Sequence, residues 1–520
     1  MNKWRIFSVA AAMLLTGCAK IEQDTMPELI AATETTPLVP VATAAEQPSH
    51  ESVALQVPEI TREEADITLE AEDGSIPTEC SVSIVPRLGY SGTGYLSGLN
   101  AENGSTLELE ADIPATQHYD ITVVLGADTP STCRILANGE PVYTLKAEEN
   151  ENFVRATVQG IFLSKGKCKL EIEPVSGIVD IDCVELVNNT SLYDEDAAIS
   201  QTPVNSHASA SAKALLKFLA DSYGRKIVTG QYVSDSTNRE LEQIYQVTGA
   251  YPLIRFADMQ NYSRNGGNAA QATAVEDSLA WAQEGGIAGL SWYWNAPAGN
   301  ASIYAKDTTF DLSAAVTDKD IATATDAQLS QMAASGEISE GCYAMIQDID
   351  AVSEQLKKLA DADVPVLWRP LMEAGGDWFW WGASGADAYR WLWKLMYTRM
   401  TEYHQLNNLL WIWNGQSSSY QVDKSQYDIA SLDVYVKDKT EAYGSRYEQY
   451  VALRNMTGGK LLALSECSTV PDMNAMFRDN AVWSFFGLWY APYLGEYTSN
   501  DALLSVYHSE GALVRGDYQP

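Results

Sequence analysis

Two glutamates stand where short apolar runs stop: Trp368-Arg369-Pro370-Leu371-Met372-Glu373 and Leu461-Leu462-Ala463-Leu464-Ser465-Glu466. A carboxylate closing an apolar strand is costly unless it faces a cavity or finds partners. For either residue alone, a structural ion pair with Arg369 would be reason enough. Two of them together suit paired-carboxylate chemistry, one group as acid/base and the other as nucleophile or base, the usual equipment for cleaving a glycosidic bond. The aromatic setting favours a sugar over a charged substrate. Trp378-Phe379-Trp380-Trp381 follows Glu373, Trp292-Tyr293-Trp294 closes another run, and Trp411 and Trp413 close a third. Indole and phenol faces match the C–H faces of pyranose rings. Stacking is therefore expected of Trp292, Trp294, Trp378 and Trp381, whereas Trp391 and Trp393 fall at helical positions and read as core. The chain has five His and seven Cys, with no C-x-x-C, H-E-x-x-H or G-x-S-x-G. That leaves little for a protein-built zinc site or a serine-hydrolase elbow.

The elements that carry these residues alternate in type. Short β-like runs occur at Lys226–Gln231, Tyr251–Ala257, Gly286–Tyr293, Val364–Pro370, Asn408–Trp413, Asp428–Tyr435, Lys460–Glu466 and Val482–Leu488. Between them, Ala210–Tyr223, Ala269–Glu284, Ile346–Ala360 and Ala386–Tyr403 space their apolar residues by three and four, as helices do. This alternation fits a (β/α)8 TIM barrel over residues 200–520, whose chemistry sits at the C-terminal strand ends. A doubly wound sheet is the alternative, but no G-x-G-x-x-G follows an early strand. Glu373 then closes the fourth strand and Glu466 the seventh, three strands apart on one rim.

Residues 61–190 read differently. Runs such as Thr106–Glu110, Tyr119–Leu125 and Cys168–Glu173 alternate with a period of two and are separated by Gly, Asn and Asp, the pattern of an all-β, jelly-roll-like sandwich. The segment has no Trp, so Tyr90, Tyr95 and Tyr143 are its candidates for stacking on sugar. Its four cysteines (Cys80, Cys133, Cys168 and Cys183) permit one or two disulfides in an exported domain. Ahead of it, residues 19–60 are rich in Thr, Ala, Pro and Glu and read as an extended tether. Residues 1–18 have a basic start at Lys3 and Arg5, a short apolar run and then Leu15-Thr16-Gly17-Cys18, an export signal rather than a span. Lys and Arg number 34 against 69 Asp and Glu, a net charge of −35, which excludes a nucleic-acid surface.

Leu15-Thr16-Gly17-Cys18 resembles a bacterial lipobox. The resemblance implies a lipid at Cys18 and an exported lipoprotein anchored at the cell surface or in the periplasm. Leu69–Asp73, Gly89–Leu96 and Ile181–Leu186 resemble a family 35 carbohydrate-binding module, which implies a structural calcium at Glu70, Glu72 and Asp182. From Lys226 onward the chain resembles glycoside hydrolase family 26, most strongly over Trp368–Gly382, with Gly289–Asn295, Ser431–Tyr435 and Ala463–Cys467 in support. The resemblance implies a retaining endo-β-1,4-mannanase, or alternatively another β-glycanase or a non-hydrolytic glycan-binding lipoprotein. Glu373 would be the acid/base, Glu466 the nucleophile and Tyr435 the residue that orients it. Trp292, Tyr293, Trp294, Arg369, Met372, Trp378, Trp381 and Trp413 would bind substrate. No cofactor would take part in catalysis, and a monomer is expected, with a β-glycan as partner. Two positions depart from the family: Met372 and Tyr293 both stand where it usually has His.

Overall fold

The computed structural model describes residues 52–190, 199–436 and 444–519. The expected signal at 1–18, with Cys18, and most of the tether lie outside the described residues. The eight expected strands close into one parallel barrel: Gly230–Tyr232, Ile254–Asp258, Ile287–Trp292, Val366–Pro370, Leu409–Trp413, Ile429–Val434, Leu461–Cys467 and Phe486–Leu488. They are short and almost wholly buried, because helices cover the outside and side chains fill the inside. Helices form at Ala210–Ser222, Ala274–Gln283, Glu340–Asp361 and Ala386–Thr398, where the apolar spacing placed them. The third of these starts earlier than the spacing alone implies, because the Ser339 side chain caps it by accepting from Cys342 N–H. Further helices form at Arg239–Thr248, Asp326–Ser335 and Tyr447–Thr457.

The first unit is an antiparallel sandwich. One sheet has six strands and centres on Ile178–Asn188 and Gln117–Ala127; the other has four, in the order Leu107–Ile113, Gly166–Ser176, Ser131–Ala137, Glu140–Ala147. Inward residues such as Leu107, Leu109, Ile121, Leu170 and Leu186 form its core. The disulfides that the cysteine count permitted do not form: Cys80, Cys133, Cys168 and Cys183 are all free thiols. Cys133 and Cys168 take their place in the apolar core instead.

Two further expectations change. The last residues of the tether are docked, since Val53 N–H donates to His508 O at 2.5 Å and Gln56 N–H to Asn474 Oδ1 at 2.8 Å. Of the three tyrosines proposed to stack on sugar, Tyr95 is wholly buried and Tyr143 hydrogen-bonds Glu448 of the barrel, which leaves half-exposed Tyr90. Glu70, Glu72 and Asp182 each accept hydrogen bonds from the 91–94 loop. Ser91 Oγ donates to Glu70 Oε2 at 2.7 Å, Ser91 N–H to Asp182 Oδ1 at 2.9 Å and Thr93 N–H to Glu72 Oε1 at 2.5 Å. Glu72 Oε2 is buried with no hydrogen-bond partner.

The two units meet along Gln117–Ala127 and Val154–Leu163. His118 Nε2 lies 2.9 Å from Asp479 Oδ1, the Arg478 guanidinium sits 5.0 Å from the centre of the Phe162 ring, and Gln159 N–H reaches Glu448 Oε1 at 3.4 Å. A Cβ at Gly160 would fall 2.2 Å from the Tyr447 ring, so only glycine allows this approach.

Candidate active site

Arg369 is the hub of the barrel mouth. It is buried at the end of the fourth strand, and its two terminal nitrogens donate to different carboxylates: Nη1 to Glu466 Oε1 and Nη2 to Asp433 Oδ2. Tyr435 Oη donates to Glu466 Oε2 at 2.7 Å, and Tyr293 Oη donates to Glu466 Oε1. Glu373 faces them from the turn after the fourth strand. Its Oε2 accepts from Trp378 Nε1 at 3.2 Å, and its backbone N–H donates to Asn414 O at 2.6 Å. Asn414 Nδ2 also donates to Asp433 Oδ1 at 3.1 Å. One oxygen from each of Glu373, Asp433 and Glu466 lies within 4.8 Å of the other two. Such a cluster could hold a metal ion, but Arg369 already donates into two of its members and supplies the cation.

Local backbone explains how Glu373 gets there. Leu371, Glu373 and Asp377 all adopt left-handed conformations, with φ of 52°, 53° and 64°, which is unfavourable for side-chain-bearing residues. The turn persists because its glycines allow close packing. A Cβ at Gly382 would lie 2.2 Å from Ala374 O, and one at Gly376 would lie 2.0 Å from the Trp378 indole.

Three carboxylates around one guanidinium cannot all ionise cheaply. Burial, and then the charge of Glu466, push Glu373 up to about 7. Burial also pushes Asp433 well above the usual carboxylate range, although Arg369 opposes it. For Arg369 burial acts downward, but Asp433 and Glu466 outweigh it and hold the guanidinium well above its usual value. Burial and the charge of Glu466 raise both Tyr293 and Tyr435, which therefore stay protonated and donate. The mouth thus sets a carboxyl that keeps its proton beside a carboxylate held by donors on both oxygens. One oxygen of each lies within 4.8 Å of the other, which agrees with the roughly 5–5.5 Å separation of carboxyl groups that direct nucleophilic attack uses.

The expected substrate-binding aromatics are placed differently. Trp292 and Trp294 are wholly buried and stack on each other, with centroids 4.1 Å apart, while their indole N–H groups bond Ser263 Oγ and Asp348 Oδ2. Trp381 is buried against Phe379 at 4.5 Å, and its Nε1 donates to Met372 O at 2.7 Å. Trp413 is buried beside Tyr427. Met372 also belongs to the core. All five are buried and packed against other protein groups, with Trp292 and Trp294 covering each other's faces. Trp378 is half-exposed and donates to Glu373, and Tyr293, Arg369 and Tyr435 surround Glu466. Asp433, Asn414 and Asp258 were not singled out by sequence reasoning. Asp433 lies two residues before Tyr435 at the end of the sixth strand, the spacing of a shared strand face, and that spacing was the available signal. Asp258 closes the second strand, accepts from Tyr293 N–H at 3.0 Å, and is pushed up to about 7 by burial.

Residues 204–516 match the family model "Glycosyl hydrolase family 26". A mannan endo-1,4-beta-mannosidase from Thermothelomyces thermophilus is 31% identical over 468 residues, covering 87% of this chain and 90% of that protein. Among solved structures, the Podospora anserina GH26-CBM35 beta-(1,4)-mannanase aligns with a TM-score of 0.60 at 28% identity, over 87% of this chain and 98% of that one. The beta-mannanase of a symbiotic protist of the termite Reticulitermes speratus, complexed with gluco-manno-oligosaccharide, aligns with a TM-score of 0.55 at 27% identity, over 62% of this chain and 99% of that one. The family model spans more than half of the chain and a relative of this family's architecture covers most of it, so the chain belongs to glycosyl hydrolase family 26.

Proposed function

We propose that the protein is an endo-β-1,4-mannanase that cleaves β-mannan with retention, by double displacement. The observation that carries this reading is the close pairing of Glu373 with Glu466, the first kept neutral by burial and charge, the second gripped by Arg369, Tyr293 and Tyr435. In the first step Glu466 attacks the anomeric carbon, the glycosidic C–O bond breaks, and Glu373 gives its proton to the departing oxygen. In the second, Glu373 takes a proton from water as the water attacks that carbon, and the bonding pair returns to Glu466. Tyr435 orients the nucleophile, and Trp378 lines the cleft beside the acid. The mannan specificity rests on the relatives, which carry that activity over most of their length.

The test is the hydrolysis of mannan, galactomannan, mixed-linkage glucan and xylan by the purified protein, followed by reducing ends and viscosity. Rapid loss of viscosity on the mannans is expected, and turnover of glucan or xylan alone would replace the reading with another β-glycanase. Glu466→Ala is expected to lose at least about 10⁴-fold in kcat. A protein that binds mannan but hydrolyses none of these glycans would instead be a glycan-binding relative. Within the same reading, calcium at Glu70, Glu72 and Asp182 braces the sandwich, and a lipid at Cys18 tethers the exported protein to a membrane. Globomycin-sensitive processing and labelling by radioactive palmitate, both lost in Cys18→Ala, would test that anchor.

A further inference from the structure

We infer that Tyr293 is a positioning residue for the second half of the reaction, the breakdown of the covalent glycosyl-enzyme. This rests on the double-displacement reading above. The two oxygens of Glu466 are held unequally. Oε1 accepts from both Arg369 Nη1 and Tyr293 Oη, whereas Oε2 accepts from Tyr435 Oη alone, at 2.7 Å. Glu466 itself is buried, but Tyr435 on Oε2 is half-exposed and Tyr293 on Oε1 almost fully buried, which assigns Oε2 to the cleft side of the carboxylate. Oε2 is therefore the oxygen that bonds to the anomeric carbon, and Oε1 becomes the carbonyl oxygen of the resulting ester.

Tyr293 is built to stay on Oε1. Its backbone N–H is tied to Asp258 Oδ1 at 3.0 Å, and its ring is wedged edge-on between Trp489 and Phe379, with centroids 5.9 and 6.0 Å away. A donor on Oε1 acts differently in the two half-reactions. In glycosylation the starting state is a full carboxylate, which the donor stabilises more than the transition state, so its removal costs little or slightly helps. In deglycosylation the starting state is a neutral ester, and negative charge returns to Oε1 and Oε2 as the C–O bond to Oε2 breaks. There the donor stabilises the transition state over the ground state, and its removal slows the step. Water supplies the new oxygen and gives its proton to Glu373, so nothing else is needed.

The experiment is pre-steady-state hydrolysis of a 2,4-dinitrophenyl β-mannobioside by wild type, Tyr293→Phe and Tyr293→His. Phe keeps the ring between Trp489 and Phe379 and removes only the hydroxyl. The expected result for Tyr293→Phe is a stoichiometric burst of dinitrophenol, a kcat lower by about ten- to a hundredfold, the size of one hydrogen bond to a charged group, and a KM lowered in parallel, so that kcat/KM changes by less than about threefold. Intact-protein mass should show the mannobiosyl adduct on Tyr293→Phe during turnover. In Tyr293→His, whose ring N–H can donate, the burst should shrink. A Tyr293→Phe protein with no burst, whether kcat is unchanged or kcat and kcat/KM fall together, would overturn the inference. If wild type itself releases no dinitrophenol, the mannanase reading fails instead.

Discussion

Glu373 and Glu466 are the same residue type with opposite tasks, and only their surroundings separate them. Glu373 hydrogen-bonds the Trp378 indole and Asp433, and burial with a nearby charge pushes it up to about 7; Glu466 has Arg369 and two phenols. An acid that must carry its proton works below its own pKa, so kcat/KM on mannopentaose should hold level up to about pH 7 and fall roughly tenfold per unit above it. With the dinitrophenyl glycoside, whose leaving group needs no proton, that limb should be absent. Arg369 depends on Asp433 as much as on Glu466. Asp433→Asn keeps an oxygen for Nη2 but weakens a buried hydrogen bond to a charged group, which costs about 1.5–3 kcal/mol. A clear drop in melting temperature is expected, and an unchanged one would show that the pair is not under tension from burial. Met372, which the sequence comparison marked as a departure, lies in the core. Met372→His should therefore reduce stability by burying an imidazole, rather than restore a sugar contact, as thermal unfolding would register.

At the scale of elements, the strands were legible and the turns were not. All eight barrel runs were readable because each is a short apolar stretch bounded by polar or turn residues, and alternation with helices leaves few other folds. Glu373 and Glu466 were readable as strand-end carboxylates. The roles of Trp292, Trp294 and Trp381 were not, because a strand-end position does not say whether a ring faces the cleft or a neighbouring ring. Those orientations come from packing across elements far apart in sequence, such as Trp294 on Asp348 of the long helix. The same holds for Asp433, whose importance appears only when Arg369 reaches it from two strands away. The turn at 371–382 makes a sharp prediction of its own. Gly376→Ala would drive a methyl into the Trp378 indole, push that ring off Glu373 and lower kcat by at least about tenfold, given that one displaced hydrogen bond to a carboxyl is worth about 1–2 kcal/mol. Full activity in Gly376→Ala would show that Trp378 does not support the acid.

At the scale of the molecule, the sandwich is packed onto the barrel through His118, Phe162 and Gly160 against Asp479, Arg478 and Tyr447, and the 53–56 segment is hydrogen-bonded to His508 and Asn474. These contacts tie together two units that composition alone presented as separate. Gly160→Val should open this face and split thermal unfolding into two transitions, where the wild type shows one. If calcium braces the Glu70, Glu72 and Asp182 loop, chelation should lower the sandwich transition in the same experiment, because an ion bound only to the native state stabilises it by mass action; identical curves with chelator and with added calcium would reject the ion. What the whole molecule does to a glycosidic bond is read most directly from the anomer it releases. Proton NMR of mannopentaose during the first minutes of hydrolysis should show the β-anomer appearing ahead of mutarotation, as attack by Glu466 followed by water requires. Initial release of the α-anomer would mean a single displacement by water, and would contradict the pairing of Glu373 with Glu466 as acid/base and nucleophile.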